Sequence, residues 1–286
     1  MVISLIGLGS LFKHGLNFGL DFTGGTLIEL TYEQPADLEL IKRELGQAGY
    51  NDAVVQSFGS TTDVLVRLAG DSPDLGNEVA TALRKIDADT SFEVKRVEFV
   101  GPQVGEELRD QGGLAMLLAL GGILLYLAFR FQWKFGVGAV GSLAHDIIVT
   151  LGILAFFKVP FDLTVLAAVL AMVGYSLNDT IIIYDRIREN FRMMRKADII
   201  ENIDVSVTQT LLRTIATSLS TALALVALLV FGGDSLGGFA LTLLIGVVVG
   251  TYSSVYISAP VLIWLKLTSE DLIPPAADAE GVDDRP

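Results

Sequence analysis

The 286-residue sequence predicts an α-helical polytopic membrane protein of six spans, the first one truncated, with a small α+β ferredoxin-like extracytoplasmic domain. Two observations place it in the membrane class. Apolar residues make up 51% of the chain, and five long apolar segments follow residue 112, each near the ~20 residues needed to cross a bilayer. A third observation sets the domain apart: residues 21–110 hold 18 acidic and 8 basic side chains and alternate strand-like with helix-like apolar spacing.

Residues 1–12 are apolar but fall short of a full span. Without a basic n-region or a small-residue cleavage site they do not read as a cleaved signal. They are expected to form the outer end of a first transmembrane helix, which Lys13 and His14 close, so that residues 1–20 are this helix end and its exit. Residues 26–32 alternate as a half-buried strand does. Pro35, Ala36 and Asp37 open a helix through Ala48, with Leu38, Ile41 and Leu45 on one face and Gly49 at its end. Residues 53–58 and 63–68 are short strands around the hairpin signal Gly59-Ser60-Thr61-Thr62. A second amphipathic helix over 74–86 and a strand over 92–100 complete the order β-α-β-β-α-β, a split βαβ pattern that by itself says little about function.

Gly101-Pro102 breaks the last strand, and residues 105–111 form a polar helical entry to the membrane. Within the five-helix region 111–267, spans are expected at 113–131, 137–157, 163–184, 213–231 and 238–265. The long connection, 185–212, is a charged and amphipathic cytoplasmic loop. Residues 268–286 are acidic and rich in Pro and Ala, as disordered tails are. Orientation follows from basic residues. With residues 21–110 outside, Arg130, Lys134, Arg186, Arg188, Arg192, Arg195, Lys196, Arg213 and Lys266 all fall in the cytoplasm, against Lys158 alone opposite. The tail is therefore inside, and the incomplete first helix returns the N-terminus to the cytoplasm.

Residues 172–192 carry the strongest functional signal. Tyr175, Asn178 and Asp179 share a helix face at spacings of three and four. A carboxylate at bilayer depth costs roughly 2.5–3.5 kcal/mol unless it is paired, hydrated or protonated. Asp179 is thus a candidate proton site, against the plainer reading that it caps a hydrated helix end. The span opening at Arg213 aligns Thr214, Thr217, Ser218 and Thr221 with that guanidinium, which suits a hydrated path or a polar packing face. The alternative makes Arg213 a positive-inside anchor and the hydroxyls packing groups.

His145-Asp146 lies near the middle of its span. Asp146 is a second candidate proton site, while His145, about 100° round the helix, reads more simply as a packing or interfacial residue. Gly246, Gly250, Ser254 and Ser258 recur every four residues, a stripe that admits close helix approach. No nucleophile–base pair or metal-ligand set appears, and Gly24-Gly25 is a turn with no phosphate-binding context. With no cysteine and only two histidines, no enzyme, cofactor or metal site is expected. The acidic balance argues against nucleic acid.

Three motifs then carry a resemblance. Gly19-Leu20-Asp21-Phe22-Thr23-Gly24-Gly25, Val100-Gly101-Pro102-Gln103-Val104-Gly105, and Leu177-Asn178-Asp179-Thr180 with Tyr184-Asp185-Arg186-Ile187-Arg188-Glu189-Asn190 closely resemble the SecF family. These are the smaller membrane subunits of the SecDF complexes that assist bacterial protein export, of the resistance-nodulation-division type. The resemblance covers residues 1–266 and departs from the family in the truncated first helix. It implies a place in the bacterial inner membrane, pairing with SecD in a twelve-span unit, and use of the proton-motive force, with sodium in some relatives. It further implies contact with the Sec translocon channel, an exported unfolded polypeptide and membrane lipid. Asp179 and Arg213 match the family's ion pathway, and Asp146 matches it less directly. The rival readings are a non-transducing scaffold of the translocon and half of a small-molecule exporter.

Overall fold

A computed structural model of the protein describes residues 2–57, 60–69, 74–86, 92–194 and 198–268. The expected basic residues Arg195 and Lys196, Phe58 and Gly59 of the second strand and its hairpin, and the acidic tail beyond Thr268 lie outside the described residues. The chain divides into two units, Phe18–Ala115 and Met1–Asn17 with Met116–Pro286.

In the first unit, α2 (Leu20–Thr23) precedes β1 (Gly25–Tyr32), followed by α3 (Leu38–Gln47), β2 (Val54–Ser57), β3 (Asp63–Leu68), α4 (Leu75–Ile86) and β4 (Phe92–Val100). The strands lie in the order β2-β3-β1-β4, with every neighbouring pair antiparallel. That is the split βαβ arrangement the alternation predicts. Ile28, Leu30, Val64, Val66 and Leu68 of the sheet pack with Ile41 and Leu45 of α3 and Val79 and Leu83 of α4. Asp37 starts α3 because its carboxylate accepts the Glu39 and Leu40 amides at 3.1 Å each, satisfying donors that the first helical turn leaves open.

The glycine pair of the first motif answers a steric need. A Cβ at Gly25 would lie 2.4 Å from the Leu68 carbonyl oxygen, at a φ of +112°. At Gly24, with φ +65°, it would lie 2.9 Å from the Pro102 Cα, and one at Gly105 would reach 2.8 Å from the Gly24 nitrogen. Two motifs far apart in sequence thus touch, backbone on backbone, where side chains do not fit.

The membrane-type helices are α5 (Pro102–Arg130), α6 (Trp133–Phe156), α7 (Leu163–Met193), α8 (Ile199–Phe231) and α9 (Asp234–Ser253). A π turn (Ser254–Ser258) joins α9 to α10 (Ala259–Trp264). Five of these stretches are long and apolar enough to cross a membrane, and α1 (Val2–His14) is a shorter apolar helix. Gly7 of α1 lies against Gly152 of α6, where a Cβ on Gly152 would come within 2.4 Å of the Gly7 Cα.

The polar helical entry at 105–111 is present as the first part of α5. One expectation changes. The expected loop 185–212 is largely the continuation of α7 to Met193 and the start of α8 at Ile199. Hydropathy marks where a helix leaves the apolar layer, whereas backbone hydrogen bonding carries the helix on into water.

Candidate functional site

α6 and α7 are the buried helices of the membrane unit, and the site lies along the buried face of α7. The Gly246–Ser258 stripe lies against that face in register. A Cβ on Gly246 would come 2.1 Å from Met172 Cγ, one on Gly250 would come 2.9 Å from Ser176 Cβ, and the Ser258 carbonyl accepts the Tyr184 hydroxyl at 3.2 Å. The constant offset means that α7 and α9 run parallel. Four-residue steps on an α-helix drift by about 40° each. The π turn at Ser254–Ser258 winds less per residue and offsets that drift, which keeps Ser258 on α7. Ser254 and Ser258 are fully buried, the latter bonded to the Ser254 carbonyl at 2.5 Å.

Asp179 is buried, at 1% exposure, and its Oδ2 makes no hydrogen bond among the described residues. Ser218 of α8 stands within hydrogen-bonding reach of this carboxylate, and the Arg213 charge acts on it across space. Around it, Thr180 Oγ1, the Tyr175 hydroxyl and Thr214 Oγ1 are also buried without a partner. Most buried polar atoms in folded proteins find a partner in protein or water; these four on α7 and α8 have none among the described residues.

The expected stripes divide. Asn178 is exposed and Tyr175 half-buried, whereas Asp179 points inward. On α8, Thr214 and Ser218 turn inward, with Ser218 held by the Thr251 hydroxyl at 2.7 Å. Arg213 and Thr217 are exposed, and Thr217 spends its hydroxyl on the carbonyls of Arg213 and Thr214.

Asp146 is fully buried and reaches α7: Ser176 donates to its Oδ2 at 2.5 Å, and His145 Nδ1 lies 3.0 Å from its Oδ1. The side chains of His145 and Asp146 bend together although their positions diverge, so His145 belongs to the polar centre and not to plain packing. The signal available was the adjacent pair of titratable residues in mid-span. Ser142 and Ser253 bridge α6 to the end of α9 at 3.0 Å.

The motif after the site is accounted for residue by residue. Arg130 Nη2 donates to both Asp185 carboxylate oxygens, at 2.9 and 2.8 Å, with Arg188 3.6 Å away. Arg186 bonds Gln209 and Glu189, Ile187 is buried, and Asn190 donates to Ser206 at 2.8 Å and Gln209 at 2.9 Å. These contacts fasten α7 to α5 and α8. Tyr184, Phe131 and Phe135 form an aromatic knot beside them, with ring centroids 5.1 to 6.2 Å apart.

Residues 78–268 match the family described as protein export membrane protein SecD/SecF, C-terminal, and residues 9–36 match the SecD/SecF GG motif. The protein translocase subunit SecF of Pseudomonas aeruginosa is 68% identical over all of this chain and 93% of its own length. The subunits of that name from Vibrio alginolyticus and Escherichia coli are 50% and 44% identical, each over 94% of this chain and 86% and 84% of their own length. The chain belongs to the SecF family. The crystal structure of SecDF, a translocon-associated membrane protein from Thermus thermophilus, superposes with a TM-score of 0.83 at 38% identity, over 93% of this chain and 36% of that one. This SecF-family chain thus spans about a third of the SecDF polypeptide and is a multi-pass bacterial membrane protein. Relatives so named are transport components.

Proposed function

We propose that the chain acts as the SecF subunit of a proton-motive-force-driven accessory complex that promotes protein export through the Sec translocon. The observation that carries this reading is the inward Asp179 carboxylate, with one oxygen unpartnered and unbonded hydroxyls around it. A neutral carboxyl suits that packing. An ionised one requires water or a closer Arg213, because an uncompensated charge in a dry interior is expensive. Protonation and release therefore favour different arrangements of α7 and α8, and a gradient supplies and removes the proton from opposite sides. Asp146 is the second candidate on this path. Arg213 biases the charged state of Asp179, an opposite charge nearby favouring ionisation.

In this reading SecD supplies the other half of the helix assembly, and the translocon channel and the unfolded client are the working partners. The small domain lies outside and the C-terminus in the cytoplasm, as the basic residues argue. The largely exposed apolar faces of α5, such as Leu117, Leu118 and Phe129, meet lipid or the SecD helices.

The deciding experiment is Asp179→Asn, which keeps size and hydrogen bonding and removes the titratable proton. The variant is expected to assemble with SecD and to lose gradient-dependent export in vesicles, normalised to assembled complex. Full gradient-dependent export would instead leave Asp179 a packing group in a scaffold, where removing a buried charge is neutral or stabilising.

A further inference from the structure

The buried His145–Asp146 pair has a geometry that packing alone does not explain. The His145 side chain is 6% exposed and Asp146 is 0% exposed. Both Asp146 oxygens are engaged, one by the Ser176 hydroxyl and one by His145 Nδ1. His145 Nε2, by contrast, is buried with no hydrogen bond among the described residues. Most buried side-chain nitrogens have a partner.

The neighbours restrict the charge states. α7 brings Ser176 against the pair, with Tyr175 beside it and Asp179 one turn further on. α9 brings Tyr252, its ring 6.5 Å from the imidazole and stacked on Tyr256 of the π turn at 5.0 Å. α1 offers Lys13 and His14 only at its end, where His14 meets Phe156. α10 has no titratable side chain. Among the described residues the imidazole is the one group that forms an ion pair with Asp146. A neutral imidazole beside an ionised Asp146 leaves one buried negative charge unbalanced. An imidazolium, or a protonated Asp146, leaves the pair neutral overall, and burial favours that state.

We propose that His145 is a second proton-binding station of the membrane helices, with Nε2 as the atom that takes up and releases the proton. This inference rests on the proton-coupled reading of the chain and extends it to a residue outside the Asp179 site. On uptake an N–H bond forms at Nε2 and Asp146 offsets the imidazolium charge. On release the proton leaves to water or to the next acceptor; the Asp146 charge is then unbalanced, a state that burial disfavours and that water reaching the pair offsets, while Nδ1–H still donates to Asp146 and holds the ring's orientation. Tyr252, 45% exposed, stands beside the ring and is open to the surface of the chain. The unmatched atom is an aromatic nitrogen, and both carboxylate oxygens already have partners. That donor set suits a proton and not sodium, which takes oxygen ligands.

The sequence has two histidines, so a full-length His14→Asn chain labelled with ¹⁵N-histidine, in bilayers, gives one imidazole to read by solid-state NMR. Nε2 is expected to change from protonated to unprotonated as pH is raised over the range in which the chain stays folded, with Nδ1 protonated throughout, and Asp146→Asn should abolish that fixed pattern. A single state of Nε2 across the range overturns the proposal. In vesicles with SecD, His145→Gln is expected to lose gradient-driven export per assembled complex. Export with the wild-type pH profile would overturn the proposal equally. Should wild-type complex show no gradient-driven export, the functional reading fails, and the NMR titration still decides the proton station.

Discussion

Replacing Gly250 with Ala tests the parallel contact between α7 and α9 directly. The added methyl would sit 2.9 Å from Ser176 Cβ, 3.1 Å from its Oγ and 3.4 Å from its Cα. Ordinary carbon contacts need ~3.5–4.0 Å, so the helices must separate by about 0.5–1 Å. No rotamer of Ser176 avoids this, because its Cβ is fixed to the backbone. Overpacking of this kind costs about 1–3 kcal/mol, or roughly 5- to 150-fold in the folding equilibrium. It also pulls Ser176 from Asp146, so an Asp146 oxygen loses its partner. Gly174→Ala is the control, on the same α7 but with nothing within 4 Å of the new Cβ. The assay is unfolding in bicelles with added dodecyl sulfate, followed by the fluorescence of Trp133 and Trp264. Ser176→Gly removes the obstructing atoms at its own cost, the lost hydrogen bond to Asp146 and a few tenths of a kcal/mol in helix propensity. Combining Gly250→Ala with Ser176→Gly is therefore expected to be little worse than Ser176→Gly alone, a non-additivity characteristic of touching residues. Wild-type stability for Gly250→Ala, or strict additivity of the two changes, would refute the contact as the cause.

Two further outcomes follow from the outer unit and from orientation. Hydrogen bonds from Thr31 and Ser60, with Lys95 at 3.3 Å, hold the Asp63 carboxyl below its ordinary value of 3.8. A depressed folded value means that stability from this group is present above the unfolded value and is lost as pH falls through the folded one. Backbone hydrogen exchange of β1 and β3, taken relative to its intrinsic rate at each pH, should thus speed up on acidification below about pH 4, and Asp63→Asn should flatten that rise; an unchanged acid limb would remove Asp63 as its source. A reporter fused after Lys266 should be active only in the cytoplasm and one inserted near Gly70 only outside; the reverse pattern would overturn the charge-based orientation.

The sequence by itself determined the class of the protein and most of its local structure. Apolar length marked the five spans, and period-two and period-3.6 spacing marked the strands and helices of the small unit, because both patterns are set by backbone geometry. Asp37 and Gly49 bracket α3 in sequence as in structure. Asp179, Arg213 and Asp146 were legible as candidates because charge in an apolar run is costly wherever the helix turns. What tertiary structure decided is direction. Tyr175, Asn178 and Asp179 share a face, yet packing by α8 and α9 buries Asp179 and leaves Asn178 exposed. Thr214 and Ser218 turn inward while Arg213 and Thr217 turn outward for the same reason. Spacing gives angles round one helix, and only the neighbours fix which angle is the interior. His145 shows this most clearly: a 100° separation from Asp146 kept the two apart on paper, whereas in the folded chain their side chains meet at 3.0 Å, with Ser176 of α7 on the other Asp146 oxygen.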